Sequence, residues 1–229
     1  MIMPLPVAAP LPTTRELAAR AILSTSALVS QVPVHPAVSV TQPQQKEEPL
    51  PVTQLKAIFA RSETGQKILQ RPNRCMFSKP SPEATDAYDL EVVKAIRNNE
   101  IEKLRALQRN GKSLDACNRF GESLIHMACR RSDLGMVKFL VEEAGVRVDV
   151  RDDFGRLPLH DACWTTLPNF AVMDVLIKAS SPALLLSEDV RGHTPYHYAR
   201  REHWTDWVQF LNDRDQLITQ RLCAAKILG

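Results

Sequence analysis

The sequence lacks the features that would mark a membrane-spanning protein, a disulfide-stapled protein or a nucleic-acid binder. It has no run of about 18 uninterrupted apolar residues, because its most apolar stretch, residues 18–34, is broken by serine, threonine, glutamine and proline. Its five cysteines are widely spaced and form no CxxC pair, so neither a disulfide framework nor a zinc knuckle is expected. A formal charge of +3 is too small to indicate a nucleic-acid partner by itself.

Motifs for the common catalytic chemistries are missing as well. The sequence contains no GxxxxGKS phosphate loop, no HExxH metal motif and no GxSxG nucleophile motif. We therefore expect no cofactor, no metal and no enzymatic activity. The unpaired cysteines favour a reducing compartment, either cytoplasm or nucleus.

The N-terminal part of the chain is poor in core-forming residues. Residues 1–51 hold nine of the sixteen prolines and no glycine, phenylalanine, tyrosine or tryptophan, which predicts a disordered arm. Up to Lys46 the arm has a single acid, Glu16, so an organelle-targeting signal is the alternative interpretation. Residues 52–87 are predicted to be a linker with a short helical segment. The apolar residues of that segment are Leu55, Ile58, Phe59, Ile68 and Leu69.

An internal repeat dominates the rest of the chain. Three segments, residues 121–128, 155–162 and 192–199, carry a glycine, a histidine and an alanine at identical offsets, and their histidines are 34 and then 37 residues apart. The shared residues are Gly121, Gly155 and Gly192 with His126, His160 and His197. Because the residues recur in register, each segment is predicted to be a copy of one structural unit.

Each copy opens with a turn signal and continues with helical periodicity. Asn118, Asp152 or Asp189 stands three residues before the glycine, and an Asx side chain followed by glycine suits a tight turn. Apolar groups follow downstream at helical spacing. The groups are Met136, Val137, Leu140 and Val141; Met173, Leu176 and Ile177; and Trp207, Val208 and Leu211. Slid back by one period, residues 90–118 form a degenerate first copy that lacks the histidine.

The combination of a DxxG turn with T-P-L-H-x-A resembles the ankyrin repeat. The match is fullest in residues 189–199, where Thr194 and Pro195 precede His197. The sequence of residues 151–156, 160–164 and 200–204 also resembles that of short ankyrin proteins of marine algae, whose biochemical role is unassigned. The resemblance implies an all-α fold, an ankyrin repeat solenoid of about four helix-pair repeats with β-turn tips over residues 88–213. Residues 214–229 are expected to form a capping helix.

The recurring histidines and cysteines suggest a second hypothesis, a small metalloprotein or enzyme that uses His160 and Cys163. Stacked repeats, however, place equivalent side chains ~8 to 10 Å apart, whereas two ligands of one zinc ion lie under ~4 Å apart. We therefore interpret the glycines and histidines of the repeats as structural. The histidine rings are expected to bond backbone groups of the turns, and cysteine fills a small inner position.

What the resemblance implies is binding of another protein through the concave face of the solenoid, as a scaffold, adaptor or regulatory subunit. Arginines in the repeats alternate with acids, which favours a protein with an acidic or phosphorylated patch over nucleic acid. Tryptophan, phenylalanine and arginine contribute most at interfaces, although Phe120, Phe154 and Trp164 could instead be buried between turns. The predicted partner-binding residues are Arg119, Phe120, Glu122, Arg130, Arg131, Arg151, Asp153, Phe154, Arg156, Trp164, Arg191, His193 and Arg201.

Overall fold

A computed structural model of the chain describes residues 47–71 and 79–225. The arm predicted over residues 1–51, and with it the alternative targeting signal, lies outside the described residues except for 47–51. Regular secondary structure in the described ranges is helical, apart from an isolated antiparallel bridge between Cys117 and Ser123. None of the helices described is long and apolar enough to cross a membrane.

Eleven α-helices and three short 3-10 helices follow one another along the described residues. The α-helices are α1 (Leu50–Phe59), α2 (Glu63–Gln70), α3 (Pro82–Ala87), α4 (Leu90–Arg97), α5 (Ile101–Arg109), α6 (Leu124–Arg130), α7 (Leu134–Lys138), α8 (Pro158–Cys163), α9 (Phe170–Ala179), α10 (Trp204–Asp213) and α11 (Asp215–Ala225). A π-helical turn, Phe139–Glu143, extends α7, and the 3-10 helices are Pro182–Leu186, Pro195–Tyr198 and Arg201–His203.

Polar side chains define where several of these helices begin. Ser62, Asp89, Asp133 and Asn169 each accept a hydrogen bond from a backbone N–H of the first turn that follows. Such a cap satisfies an N–H that has no partner within the helix and contributes about 1 kcal/mol. The starts of α2, α4, α7 and α9 are thus fixed by local sequence.

Four helix pairs stack in chain order within the described residues. The pairs are α4–α5, α6–α7, α8–α9 and the 3-10 helix Pro195–Tyr198 with α10; α4 packs on α6, α6 on α8, and α8 on Pro195–Tyr198. Most of the apolar residues that the sequence period identified are almost fully buried between them, whereas Val141 and Val208 are partly buried. The almost fully buried residues include Met136, Val137, Leu140, Met173, Leu176, Trp207 and Leu211. The structure confirms the predicted all-α stack.

The two helices that precede the repeats pack beyond the last of them. Helix α1 lies against α10, the 3-10 helix Pro195–Tyr198 and α11, and α2 lies against α11 and the 3-10 helix Pro182–Leu186. Four side chains of α1 are fully buried there: Val52, Leu55, Ile58 and Phe59. The end of the stack that follows the fourth repeat is therefore covered by α1 and α2 together with α11.

Polar contacts join the same elements at the edge of this apolar interface. The Gln54 Nε2 donates to the Asn212 Oδ1 at 2.6 Å, and Arg61 pairs with Asp215. These residues are more than 150 positions apart in the sequence. No repeat period or local pattern links them, so the sequence predicts a helical segment here but not its docking site.

Gly65 allows α2 to approach the end of α1, and we expect Gly65→Ala to be destabilising. A β-carbon at this position would lie 2.0 Å from the backbone oxygen of Phe59, so the two helices must separate. The expected loss is about 1–3 kcal/mol, as for other overpacked sites, measured by urea unfolding. Gly135→Ala in α7 is the matched control, because its β-carbon meets only ordinary contacts. It should gain about 0.5–1 kcal/mol from helix propensity. Equal effects of the two changes would contradict the close-approach argument.

Candidate partner-binding face

The turns that precede the first helix of the second, third and fourth repeats form a ladder of backbone hydrogen bonds. These first helices are α6, α8 and the 3-10 helix Pro195–Tyr198. Gly121, Gly155 and Gly192 all have positive φ, a conformation that glycine adopts without strain. The Asp153 N–H donates to the Phe120 carbonyl at 2.8 Å, and the equivalent bond joins the next two turns. Backbone hydrogen bonds therefore join each turn tip to the next. Because these bonds use only backbone groups, the side chains of the tips can project from the ladder.

The repeated histidines tie each first helix to the turn before it and to the next repeat. The Nδ1 of His160 accepts from the Leu157 N–H at 3.0 Å, and its Nε2 lies 3.1 Å from the His193 carbonyl oxygen. His126 bonds Ser123 and the Arg156 carbonyl in the same way. Since Nδ1 accepts a backbone proton, the ring is neutral and Nε2 is the donor.

Burial reinforces this protonation state and also keeps the neighbouring thiol neutral. It lowers the pKa of His160 to about 4 and lowers the pKa of His126. Burial also raises the pKa of the Cys163 thiol well above its usual range. A neutral thiol is a weak nucleophile and metal ligand. Among the described residues, no three His, Cys, Asp or Glu side chains are grouped to hold a metal ion. Nothing in this geometry favours the enzyme or metalloprotein hypothesis for His160 and Cys163.

Two aromatic side chains stand exposed on successive turn tips. Phe120 is 46% exposed and Phe154 is 50% exposed, so neither is buried between turns. The Arg119 guanidinium lies 4.6 Å from the Phe120 ring centroid, and Arg156 lies 5.0 Å from that of Phe154. Asp153 is exposed beside Phe154. Each of these tips therefore presents an aromatic ring flanked by a cation.

Arg151 and Arg156, also predicted to bind a partner, are half-buried and bond other groups of the turns. Arg151 donates to the backbone carbonyls of Gly155 at 2.7 Å and Glu188 at 3.3 Å. Arg156 pairs with the buried Asp152 at 2.6 Å. Their guanidinium groups are engaged within the fold, so we do not retain them in the proposed binding set.

Glu122 and Arg130 form a network with a buried acid of the next repeat. Arg130 lies 2.7 Å from Glu122 and 3.3 Å from Asp161. Burial raises the pKa of Asp161, and the neighbouring Arg130 opposes that rise. Breaking a pair that neutralises a buried charge is destabilising. Glu122 and Arg130 therefore serve the stack as well as lining its surface.

Trp164 and Arg131 project from the ends of the first helices α8 and α6. Trp164 is 51% exposed and touches the rest of the fold through Tyr198, ring centroids 6.3 Å apart. Arg131 donates to the Arg97 carbonyl oxygen at 2.8 Å. Both side chains keep much of their surface available for a partner. In the fourth repeat Arg201 is exposed, with its guanidinium 5.5 Å from the Trp204 ring centroid.

Arg191 and His193 belong to a polar cluster on the fourth turn. Arg191 donates to the Tyr198 hydroxyl at 2.5 Å, and that hydroxyl donates to Asp189 at 2.5 Å. His193 stacks on His197 with ring centroids 5.4 Å apart. Arg191 is exposed whereas His193 is half-buried, so Arg191 is the more available of the two.

Three surface residues of this face were missed by the sequence analysis. Leu167 is 69% exposed in the long turn between α8 and α9, and Tyr198 supports Trp164. Arg97 lies in the degenerate first repeat, which lacks the histidine that marked the others. It follows Ala95 by two residues, as Arg130 follows Ala128, and that offset could have identified it.

The comparison with protein families agrees with this geometry. A family model for ankyrin repeats, in three copies, matches residues 92–182, which run from the first turn of α4 through the helix pairs α6–α7 and α8–α9. The fold is an all-α ankyrin repeat solenoid, as the sequence predicted. Domains built from these repeats generally mediate protein–protein interactions and are typically not enzymes.

Proposed function

We propose that this protein binds another protein through the face made by its turn tips and first helices, and acts as a scaffold, adaptor or regulatory subunit. The exposed Phe120, Phe154 and Trp164 support this proposal. Large aromatic side chains on one face are typical of interfaces, where they contribute most of the binding energy. The fold accounts for the repeated histidines and glycines but does not need these three rings.

The charges on the same face favour a partner with an acidic or phosphorylated patch. Arg119, Arg131 and Arg191 are exposed on this face. The Arg119 guanidinium lies over the Phe120 ring and that of Arg191 over the Tyr198 ring. Guanidinium groups bind carboxylates and phosphates through paired hydrogen bonds. Arginine beside an aromatic ring thus offers a partner both an apolar contact and a charged one.

Trp164→Ala and Phe154→Ala are expected to weaken partner capture while leaving the fold intact. Each ring is about half exposed, so its loss should change stability by less than ~1 kcal/mol, whereas loss of an interface aromatic typically reduces affinity by more than about tenfold. The measurement is affinity purification with the tagged full-length chain, followed by quantitative mass spectrometry and thermal melting of each variant. Lys178→Ala, on the exposed side of the second helix α9, is the control.

The proposal requires proteins that the wild type and Lys178→Ala enrich equally and that both aromatic variants lose. If the aromatic variants capture the same proteins as the wild type but melt several degrees lower, the rings serve packing and the proposed face is wrong.

A further inference from the structure

We propose that the groove beside the first two repeats binds an acidic segment of the partner protein, with carboxylates placed on Arg97 and Arg131. This inference rests on the proposed function and specifies its partner. The groove contains a cavity of about 390 Å³ between the first helices α4 and α6 and the turn that precedes α6. Arg97, Arg130 and Arg131 line it, and among the described residues that line it Glu122 is the single carboxylate.

The positive charge of this cavity is not neutralised from within the described part of the chain. Glu122 and the buried Asp161 both pair with Arg130. Arg131 instead donates to a backbone carbonyl, and within residues 47–71 and 79–225 the Arg97 guanidinium has no ion pair. Two guanidinium groups of one cavity thus face solvent without a carboxylate. Charge complementarity therefore selects an anionic ligand.

A second cavity extends the groove toward the third repeat. It has a volume of about 530 Å³ and is lined by Arg131, Thr165 and the exposed Leu167. Because Arg131 lines both cavities, one continuous ligand can cross from the first to the second. A single phosphoryl group would fill only part of the first cavity. The arrangement favours an extended peptide that carries carboxylates and then an apolar side chain, which packs on Leu167.

A synthetic peptide tests this inference without knowledge of the natural partner. The probe is a fluorescein-labelled peptide of four glutamates followed by two leucines, titrated with the full-length protein and followed by fluorescence anisotropy. We expect saturable binding that weakens as sodium chloride is raised, because exposed charges are screened by salt. Arg97→Gln and Arg131→Gln should each weaken binding about two- to fivefold, the range for an exposed ion pair. Leu167→Ala should weaken it as well.

The matched control is Arg109→Gln, which removes the same charge from an exposed position at the end of α5, outside both cavities. An equal loss in Arg109→Gln would show that the peptide senses net charge alone and would overturn the inference. Absence of saturable binding by the wild type would also overturn it. A peptide in which one phosphoserine replaces the four glutamates forms another arm of the test. Tighter binding of that peptide would assign the groove to a phosphorylated partner instead.

The two proposals can fail separately. If a captured partner is lost in Trp164→Ala but retained by Arg97→Gln and Arg131→Gln, the proposed function stands and the acidic-segment inference is wrong. Retention in all three variants would contradict both. Circular dichroism melts of every variant exclude loss of folding as the cause.

Discussion

A chain that begins at residue 79 is expected to unfold at a far lower temperature than a chain that begins at residue 47. The longer chain keeps α1, whose Val52, Leu55, Ile58 and Phe59 are fully buried against the end of the stack. Burial of each such side chain contributes about 1.5–3 kcal/mol. The sum is comparable to the whole stability of an ordinary domain, roughly 5–15 kcal/mol. The shorter chain also exposes the apolar side of α10.

Thermal melts followed by circular dichroism measure this effect, and binding of an apolar dye reports the exposed face. A matched pair of point variants separates loss of packing from truncation itself. Leu55→Ala, at a fully buried site of α1, should cost about 2–5 kcal/mol, whereas Leu50→Ala, at an exposed site of the same helix, should cost less than about 0.5 kcal/mol. Equal melting temperatures of the two truncated chains would show that α1 and α2 are dispensable for the repeats.

Acidification from pH 7 to pH 4 is expected to destabilise the repeats through their buried histidines. Burial lowers the folded-state pKa of His160 from 6.5 to about 4. Between these two values the unfolded chain binds more protons than the folded one, so stability is full above pH 6.5 and is lost as the pH falls toward 4. His160 alone accounts for roughly 3 kcal/mol at pH 4. His126, whose pKa is also lowered by burial, acts in the same direction.

Urea unfolding at several pH values measures this dependence. His160→Gln should be less stable than the wild type at pH 7 and should lose less stability on acidification, because one titrating ring is gone. His203→Gln is the control, since His203 lies outside the repeated histidine positions. This variant should keep the full pH dependence of the free energy of unfolding. Carboxyl groups such as Asp161, whose raised pKa acts in the opposite sense, titrate in every variant. If the free energy of unfolding of His160→Gln depended on pH as steeply as that of the wild type, the His160 imidazole would be ruled out as the cause.

The sequence predicted the repeats well because their signals are local and recur. The apolar positions at helical spacing, such as Leu140 and Leu176, are buried, and the glycines of the turns have positive φ. The individual surface roles were harder to assign. The sequence pattern is equally compatible with exposure of Arg151 and of Trp164. In the structure, however, Arg151 is hydrogen-bonded within the turns and Trp164 is half exposed. Only the residues that surround each side chain in the folded structure distinguish the two cases.

The docking of α1 was beyond the reach of pattern analysis because it depends on contacts between distant parts of the chain. The Gln54–Asn212 hydrogen bond spans 158 positions. The amphipathic spacing of Leu55, Ile58 and Phe59 indicates a face to be buried, but not the surface that buries it. The degenerate first repeat hid Arg97 for a different reason, since it lacks the histidine from which the other repeats were aligned.

The position of α1 also bears on the order of events during synthesis. Residues 50–59 leave the ribosome before any repeat, but the helices on which they pack, α10 and α11, are translated only after the first three repeats. Local helix pairs can fold as they emerge, whereas contacts of such large sequence separation form slowly. The apolar side chains of α1 therefore remain without their packing surface in the nascent chain until α10 and α11 have been synthesised.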